Sequence, residues 1–459
     1  MPSSIELQNW NQVTTQSQTE LVSVPSYIQH ERNSTQARET TTIPHLKRTD
    51  GGLAAWGLLA AAFVFEACFW GFPISYGVFQ NYYSTLPAFA GSSKIALIGT
   101  IAQGFCYLGA PLSTAIAKRF PKFQRLQIWI GWPLCILSLV AGSFAETLNG
   151  LIATQGVMYG LGFVMLTYPI YSFVDEWFVV RKGMAFGIVS AASGFAGMFV
   201  PFIVEVLLHK YGYKTTLRAI AIAMAVLTAP LIPFLKGRLP PADQSTRTKT
   251  NWGFVKKPLF WIYGASTLIQ NFGFFFPALY LPLYATAIGL SATKGALILA
   301  VMAGAQVLGQ FSFGYLSDKR VSVNTLAITS SVISTFTTFV LWGMAKSLAM
   351  LVAFAIMYGF FGYGFSTMRV AMARKVSDDP SAVVAIFSIL VFLQGIGNIL
   401  AGPISTALLS QRTRLGAYGI LKYQFLVVFT GICMAISALT IVSWYLRPRK
   451  TKLLDGIKV

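Results

Sequence analysis

Apolar runs long enough to cross a bilayer recur twelve times along this chain, and no other feature constrains its fold as much. They cover about residues 54–82, 95–117, 126–145, 150–174, 183–208 and 215–235. A second set covers 259–288, 295–316, 323–344, 348–373, 381–409 and 423–446. A spanning helix needs about 20 apolar residues, so twelve of them take up most of the 459 positions. In lipid each run has to satisfy its own backbone hydrogen bonds, which a helix does within one segment. The expected fold class is an all-α polytopic membrane protein with twelve transmembrane helices in two six-helix pseudo-repeats. Charged residues make up 11% of the chain, against about 25% in soluble domains. That leaves no room for a sizeable soluble catalytic or nucleotide-binding domain.

The net charge of +20 would suggest nucleic acid if it lay on one soluble face. Here the basic residues sit in short connections between apolar runs. The N-terminal tail, the even-numbered loops and the C-terminus together hold 25 Lys and Arg, and the opposite loops hold nine. That bias predicts both termini in the cytoplasm of a multi-pass protein, here expected in the plasma membrane. The domain reading follows: a disordered cytoplasmic tail at 1–52, six-helix bundles at 53–236 and 258–446, a cytoplasmic central loop at 237–257, and a second tail at 447–459. The sequon Asn33-Ser34-Thr35 falls in the tail and is expected to stay unmodified. All four cysteines, Cys68, Cys106, Cys135 and Cys433, lie inside apolar runs without metal-ligand spacing. Two of the three histidines, His30 and His45, lie in the tail. No metal site, cofactor, catalytic constellation or nucleic-acid partner is expected, and no phosphate-cradling P-loop exists to support direct ATP drive. The expected partners are the lipid bilayer, a small-molecule substrate and, where a buried acid exchanges them, protons. Oligomeric state is not readable from the sequence.

The halves repeat each other. Phe72-Pro73-x-x-Tyr76 recurs as Phe276-Pro277-x-x-Tyr280, Met158-Tyr159-Gly160 as Met357-Tyr358-Gly359, and Lys118-Arg119 as Lys319-Arg320, at offsets of 204, 199 and 201. A six-plus-six duplication around a polar central loop suits transporters that rock two halves about a midplane site.

With these residues in view the chain resembles the major facilitator superfamily. Gly314-Tyr315-Leu316-Ser317-Asp318-Lys319, between segments 8 and 9, is close to that superfamily's loop motif, G-x-L-x-D-R/K. In the first-half loop, Lys118 stands where the acid would be. Within the superfamily the chain resembles the monocarboxylate porter family, in its fungal branch. The matching residues are Asp50-Gly51-Gly52-x-x-Ala55-Trp56 before segment 1, and Trp177-Phe178-x-x-Arg181-Lys182-x-Met184-Ala185-x-Gly187 entering segment 5. The resemblance implies the major facilitator fold, gate or topology roles for the loop residues, and a cavity lined by segments 1, 4, 7 and 10. It departs where animal proton-coupled members carry a Lys in segment 1 and an Asp and an Arg four apart in segment 8. Those positions are Ile74, Gln306 and Gln310 here, so the lactate–proton ion pair is not inherited.

Ionisable groups inside the membrane are costly and mark function by default. Glu66 lies near the middle of segment 1 on one face with Trp70, Pro73 and Gly77. Burial there disfavours its charged form, which fits proton coupling, substrate contact or a locking hydrogen bond. Arg369 lies about 9 Å inside segment 10, where it can grip a carboxylate or snorkel to the interface. Segment 7 is interrupted by Gly273, Pro277 and Pro282 and offers Gln270, Asn271 and Tyr280 as substrate contacts. Gln306 and Gln310 share a face of segment 8, as ligands or as interhelical hydrogen bonds.

The expected function is secondary active transport of a small organic solute, monocarboxylate-like or a related amphipathic metabolite, by alternating access. Two readings stand beside it: efflux of a fungal secondary metabolite, and a non-transporting membrane sensor for the same class of solute.

Overall fold

The structure is a computed structural model and describes residues 48–446, apart from 90, 91, 93, 121, 122, 240–249, 412–417 and 421. The two tails (1–47 and 447–459), the sequon at Asn33 and most of the central loop lie outside the described residues. Among those described, every apolar run falls on helix and no strand occurs.

The helices are α1 (Leu53–Thr85), α2 (Ile95–Leu108), α3 (Ala110–Arg119), α4 (Gln124–Gly142), α5 (Leu148–Trp177), α6 (Lys182–Phe234) and α7 (Pro258–Phe274). They continue as α8 (Phe276–Ala287), α9 (Ala292–Ser317), α10 (Val323–Trp342), α11 (Leu348–Thr367), α12 (Arg369–Val376), α13 (Pro380–Leu409) and α14 (Gln424–Leu446). Nine of the described helical stretches are long and apolar enough to cross a membrane, or ten with the bent α2–α3 pair taken as one span. One of the nine, α6, is two helices in series. Gly212 separates them at φ 73°, ψ 171°, a conformation that glycine adopts without the steric cost a side chain brings.

The breaks have causes in the sequence. Pro111 begins α3 after a 44° bend, because proline has no N–H and its ring collides with the preceding turn. Pro73 sits inside α1 and frees the carbonyl of Phe69, four residues back. Tyr159 Oη donates to that carbonyl at 2.5 Å. The second half repeats the arrangement: the chain breaks at Phe275 before Pro277, and Tyr358 Oη donates to the Phe274 carbonyl at 3.1 Å. The two repeated sequence motifs therefore meet in the same way in both halves. In each half a tyrosine of Met-Tyr-Gly donates to a backbone carbonyl shortly before the Phe-Pro pair, and a backbone group freed in lipid needs such a partner.

Small residues set a close contact between α6 and α9. A Cβ added at Gly183 in α6 would stand 2.6 Å from the Gly314 carbonyl oxygen of α9, and one at Gly187 would stand 2.8 Å from that of Gln310. Only hydrogen fits in that gap, as at other close membrane helix crossings.

Candidate functional site

A cavity of about 630 Å³ occupies the middle of the molecule. α1 and α2 contribute Glu66, Trp70, Gln103 and Tyr107, and α5 contributes Thr167, Tyr168 and Tyr171. Across from these stand Phe274 and Phe275 of the α7–α8 break, Gln306 and Gln310 of α9, and Arg369 of α12. Its walls run from the helix midpoints outward to Gln80, Ala96, Pro201 and Gly402. That end is the open face. The opposite end, where Asp50, Lys118, Asp318 and Asp379 lie, is shut by contacts between helix ends and forms the clasp face.

Glu66 is 2% exposed. Its Oε2 accepts from Trp70 Nε1 at 2.7 Å and from Tyr171 Oη at 3.2 Å. Trp70 is one helical turn along the same face, so the pair is built into α1, whereas Tyr171 comes from α5. Arg369 lines the cavity instead of snorkelling. Its Nε donates to the Ser366 carbonyl at 2.7 Å, a group exposed where α11 ends. The phenols of Tyr107, Tyr171 and Tyr168 are near enough to interact with its charge. The ion pairs among the described residues are Lys182–Asp175, Lys214–Glu146 and Arg374–Asp318, and none involves Arg369. A cavity-facing guanidinium with spare donors is a ready partner for an anionic group.

Gln306 and Gln310 stand at the cavity wall and are hydrogen-bonded there. Gln306 Nε2 donates to Ser193 Oγ of α6 at 3.1 Å and to Gln310 Oε1 at 3.4 Å. A second polar bridge joins α13 to α2 and α1. Asn398 Nδ2 of α13 donates to Gln103 Oε1 at 2.9 Å, and Gln103 Nε2 donates to the Pro73 carbonyl at 3.0 Å. Gln103 and Tyr107 lie in an apolar run without any motif, so only three-dimensional packing could single them out.

The structure places three of the expected substrate contacts, Gln270, Asn271 and Tyr280, away from the cavity wall. Gln270 and Asn271 are buried against neighbouring helices, and Asn271 Nδ2 donates to the Thr267 carbonyl of its own helix at 2.7 Å. The backbone of Gly397 in α13 packs directly on Asn271. Tyr280 Oη donates to Ser405 Oγ at 2.7 Å, joining α8 to α13. The break at Phe275 brings Phe274, Phe275, Ala278 and Leu279 to the cavity wall instead.

The loop motifs build the clasp face. Asp318 ends α9, and its carboxylate accepts from the N–H groups of Gly183 at 2.8 Å and Met184 at 2.7 Å. These are first-turn groups of α6, which lack helical partners and carry the positive end of the helix dipole. Arg374 Nη1 lies 3.3 Å from the same carboxylate. Burial pushes the Asp318 carboxyl above the ordinary aspartate range, against the opposing pull of these hydrogen bonds and of Arg374. Gly314 is the contact residue beneath it, and Lys319 lies over the Tyr315 ring at 4.8 Å. Asp50 plays a similar part within the first half, accepting from the N–H groups of Val179, Val180 and Arg181 at 2.7 to 3.0 Å. Gly51 follows it, and Gly52, at φ 87°, turns the chain into α1. Trp56 meets Phe178 edge to face at 5.9 Å, and Lys182 pairs with Asp175 at 2.5 Å. Lys118, where the second-half motif has its acid, donates to the Ser381 carbonyl of α13 at 2.5 Å and to Thr250 Oγ1 at 3.3 Å. No group of three His, Cys, Asp or Glu side chains among the described residues could hold a metal ion.

The family model described as Major Facilitator Superfamily matches residues 125–342. Curated relatives include "MFS transporter asaE" of Aspergillus flavus, 27% identical over 84% of this chain and 85% of that protein. The "Fujikurins efflux protein" of Gibberella fujikuroi is 26% identical over 87% and 84%. The "Aspyridones efflux protein apdF" of Emericella nidulans is 25% identical over 79% and 73%. Among solved structures, the major facilitator proton:xylose symporter XylE bound to 6-bromo-6-deoxy-D-glucose superposes with a TM-score of 0.63. It covers 85% of this chain and 95% of its own, at 12% identity.

Proposed function

We propose that this chain is a transporter of the major facilitator superfamily, which it resembles over residues 125–342, and that it exports an amphipathic organic acid by alternating access between its two halves. The observation that carries the reading is the pairing of a roomy, mainly apolar cavity with Arg369, whose guanidinium has no acidic partner among the described residues. Cavities of about 300 to 1,000 Å³ suit drug-sized ligands. A three-carbon acid such as lactate would leave most of 630 Å³ unfilled. The acid group docks on Arg369, and the apolar body lies against Trp70, Phe274, Phe275 and Tyr363. Glu66, held by Trp70 and Tyr171, exchanges the coupling proton when the hydrogen bonds around it rearrange. Two curated relatives named for efflux of particular metabolites support export. The charge bias of the loops supports cytoplasmic termini, and with them a clasp face on the cytoplasmic side of the plasma membrane.

Binding of a panel to the purified protein tests this. Lactate and pyruvate would be compared with larger amphipathic carboxylates and with the methyl esters of those carboxylates, on wild type and Arg369→Ala. The larger acids should bind best, their esters at least about tenfold more weakly, and the substitution should erase that difference. Preferential binding of lactate and pyruvate would instead favour the second reading, a monocarboxylate porter, which rests on the signatures at Asp50–Trp56 and Trp177–Gly187.

A further inference from the structure

We propose that Tyr171, Phe186 and Phe387 form the inner gate of the transport path, and that the hydrogen bond from Tyr171 to Glu66 holds that gate shut. A second, smaller space of about 90 Å³ lies beyond the central cavity toward the clasp face, among Thr114, Lys118, Gln124, Asp175 and Ser381. Tyr168, Tyr171, Phe186, Val370 and Phe387 line both spaces, so they are the wall between them.

Three of these rings close a triangle. The centroids of Tyr171 and Phe186 are 5.7 Å apart, those of Tyr171 and Phe387 6.1 Å, and those of Phe186 and Phe387 5.6 Å. Rings at such separations and tilts attract each other beyond simple burial. Tyr171 and Phe186 come from α5 and α6, and Phe387 comes from α13. Any motion that carries α13 away from the first half opens the triangle. Ser381, less than two turns earlier on α13, is the residue whose carbonyl accepts from Lys118. The ring triangle and the Lys118 contact are therefore two closures in series on one moving helix.

Only one ring of the triangle reports on the cavity. Tyr171 Oη donates to Glu66 Oε2, the oxygen that also accepts from Trp70. Glu66 faces the cavity from α1, so a ligand or proton arriving there competes directly for the group that positions the gate. Tyr171 is thus a positioning residue that links occupancy of the cavity to release on the far side. This rests on the reading of the central cavity as the transport path.

The test needs no substrate, so its failure would leave the substrate reading standing. Ala278 lines the cavity. Ala278→Cys, in a background with the four native cysteines replaced by alanine, would be labelled with a membrane-impermeant thiol reagent applied to each face separately. The background protein should label from the open face only. Tyr171→Phe should raise the clasp-face rate roughly fivefold, the population change that one lost hydrogen bond brings, and Phe387→Leu should raise it by a similar factor through the lost ring contacts, with the open-face rate unchanged in both. A purely structural defect would alter open-face labelling as well. Equal labelling from both faces before any gate substitution, or an unchanged clasp-face rate in both variants, would overturn the proposal.

Discussion

Glu66 and Arg369 could be singled out from sequence because charge inside an apolar run is costly and needs a reason. Both line the cavity. Gln270, Asn271 and Tyr280 went the other way. Amide and hydroxyl groups are inexpensive enough to spend on helix packing, and a broken helix gives no sequence clue to which side faces inward. Tyr280→Phe should lower stability by about 1 kcal/mol through the lost bond to Ser405. Ligand affinity should stay unchanged, so thermal unfolding beside a binding titration checks both parts. Arg369→Lys should keep the charge but lose the two-pronged geometry, giving acid binding between that of wild type and Arg369→Ala. Affinity ratios across the three proteins measure this.

At the scale of elements, proline breaks were legible and glycine contacts only partly so. Pro277 announces where the α7–α8 pair is interrupted, Pro73 marks a lost backbone bond inside α1, and Tyr159 and Tyr358 recur in the motifs that supply the matching hydrogen bonds. Each Tyr→Phe change should cost about 0.6 to 1.5 kcal/mol of stability by leaving a carbonyl unpaired. Unfolding midpoints for the two single variants should fall by similar amounts if the halves are equivalent. Gly183 and Gly187 lie one turn apart on α6, but nothing in the sequence names Gly314 as their partner. Gly187→Val would push the added side chain into the α9 backbone near Gln310. The variant should populate the state open at the clasp face, seen as faster labelling of cavity cysteines from that side. Asp318→Ala, which removes the acceptor for two first-turn N–H groups of α6, should act in the same direction with about 1 kcal/mol. The breaks at Met368 and the widened turn at Ile152–Met158 have no residue signature that would have announced them.

For the whole molecule, the sequence carries the number and spacing of apolar runs, the internal duplication and the loop motifs. It does not carry which alternating state the chain adopts. Closure at one face depends on contacts between residues more than 100 positions apart, such as Lys118 with Ser381 and Gly183 with Asp318. Cavity size is likewise a property of the assembled helices. That size, set beside a guanidinium at Arg369 with no acidic partner among the described residues, moves the reading from a three-carbon acid toward a larger amphipathic one. The central claim is that this cavity couples movement of such an acid to a proton through Glu66. The most direct test is flux of a labelled amphipathic carboxylate in proteoliposomes, with and without a proton gradient, for wild type and Glu66→Gln. Wild type should accumulate the acid only when the gradient is imposed, while Glu66→Gln should exchange labelled for unlabelled acid yet fail to accumulate it. Gradient-driven accumulation by Glu66→Gln at the wild-type level would contradict the account.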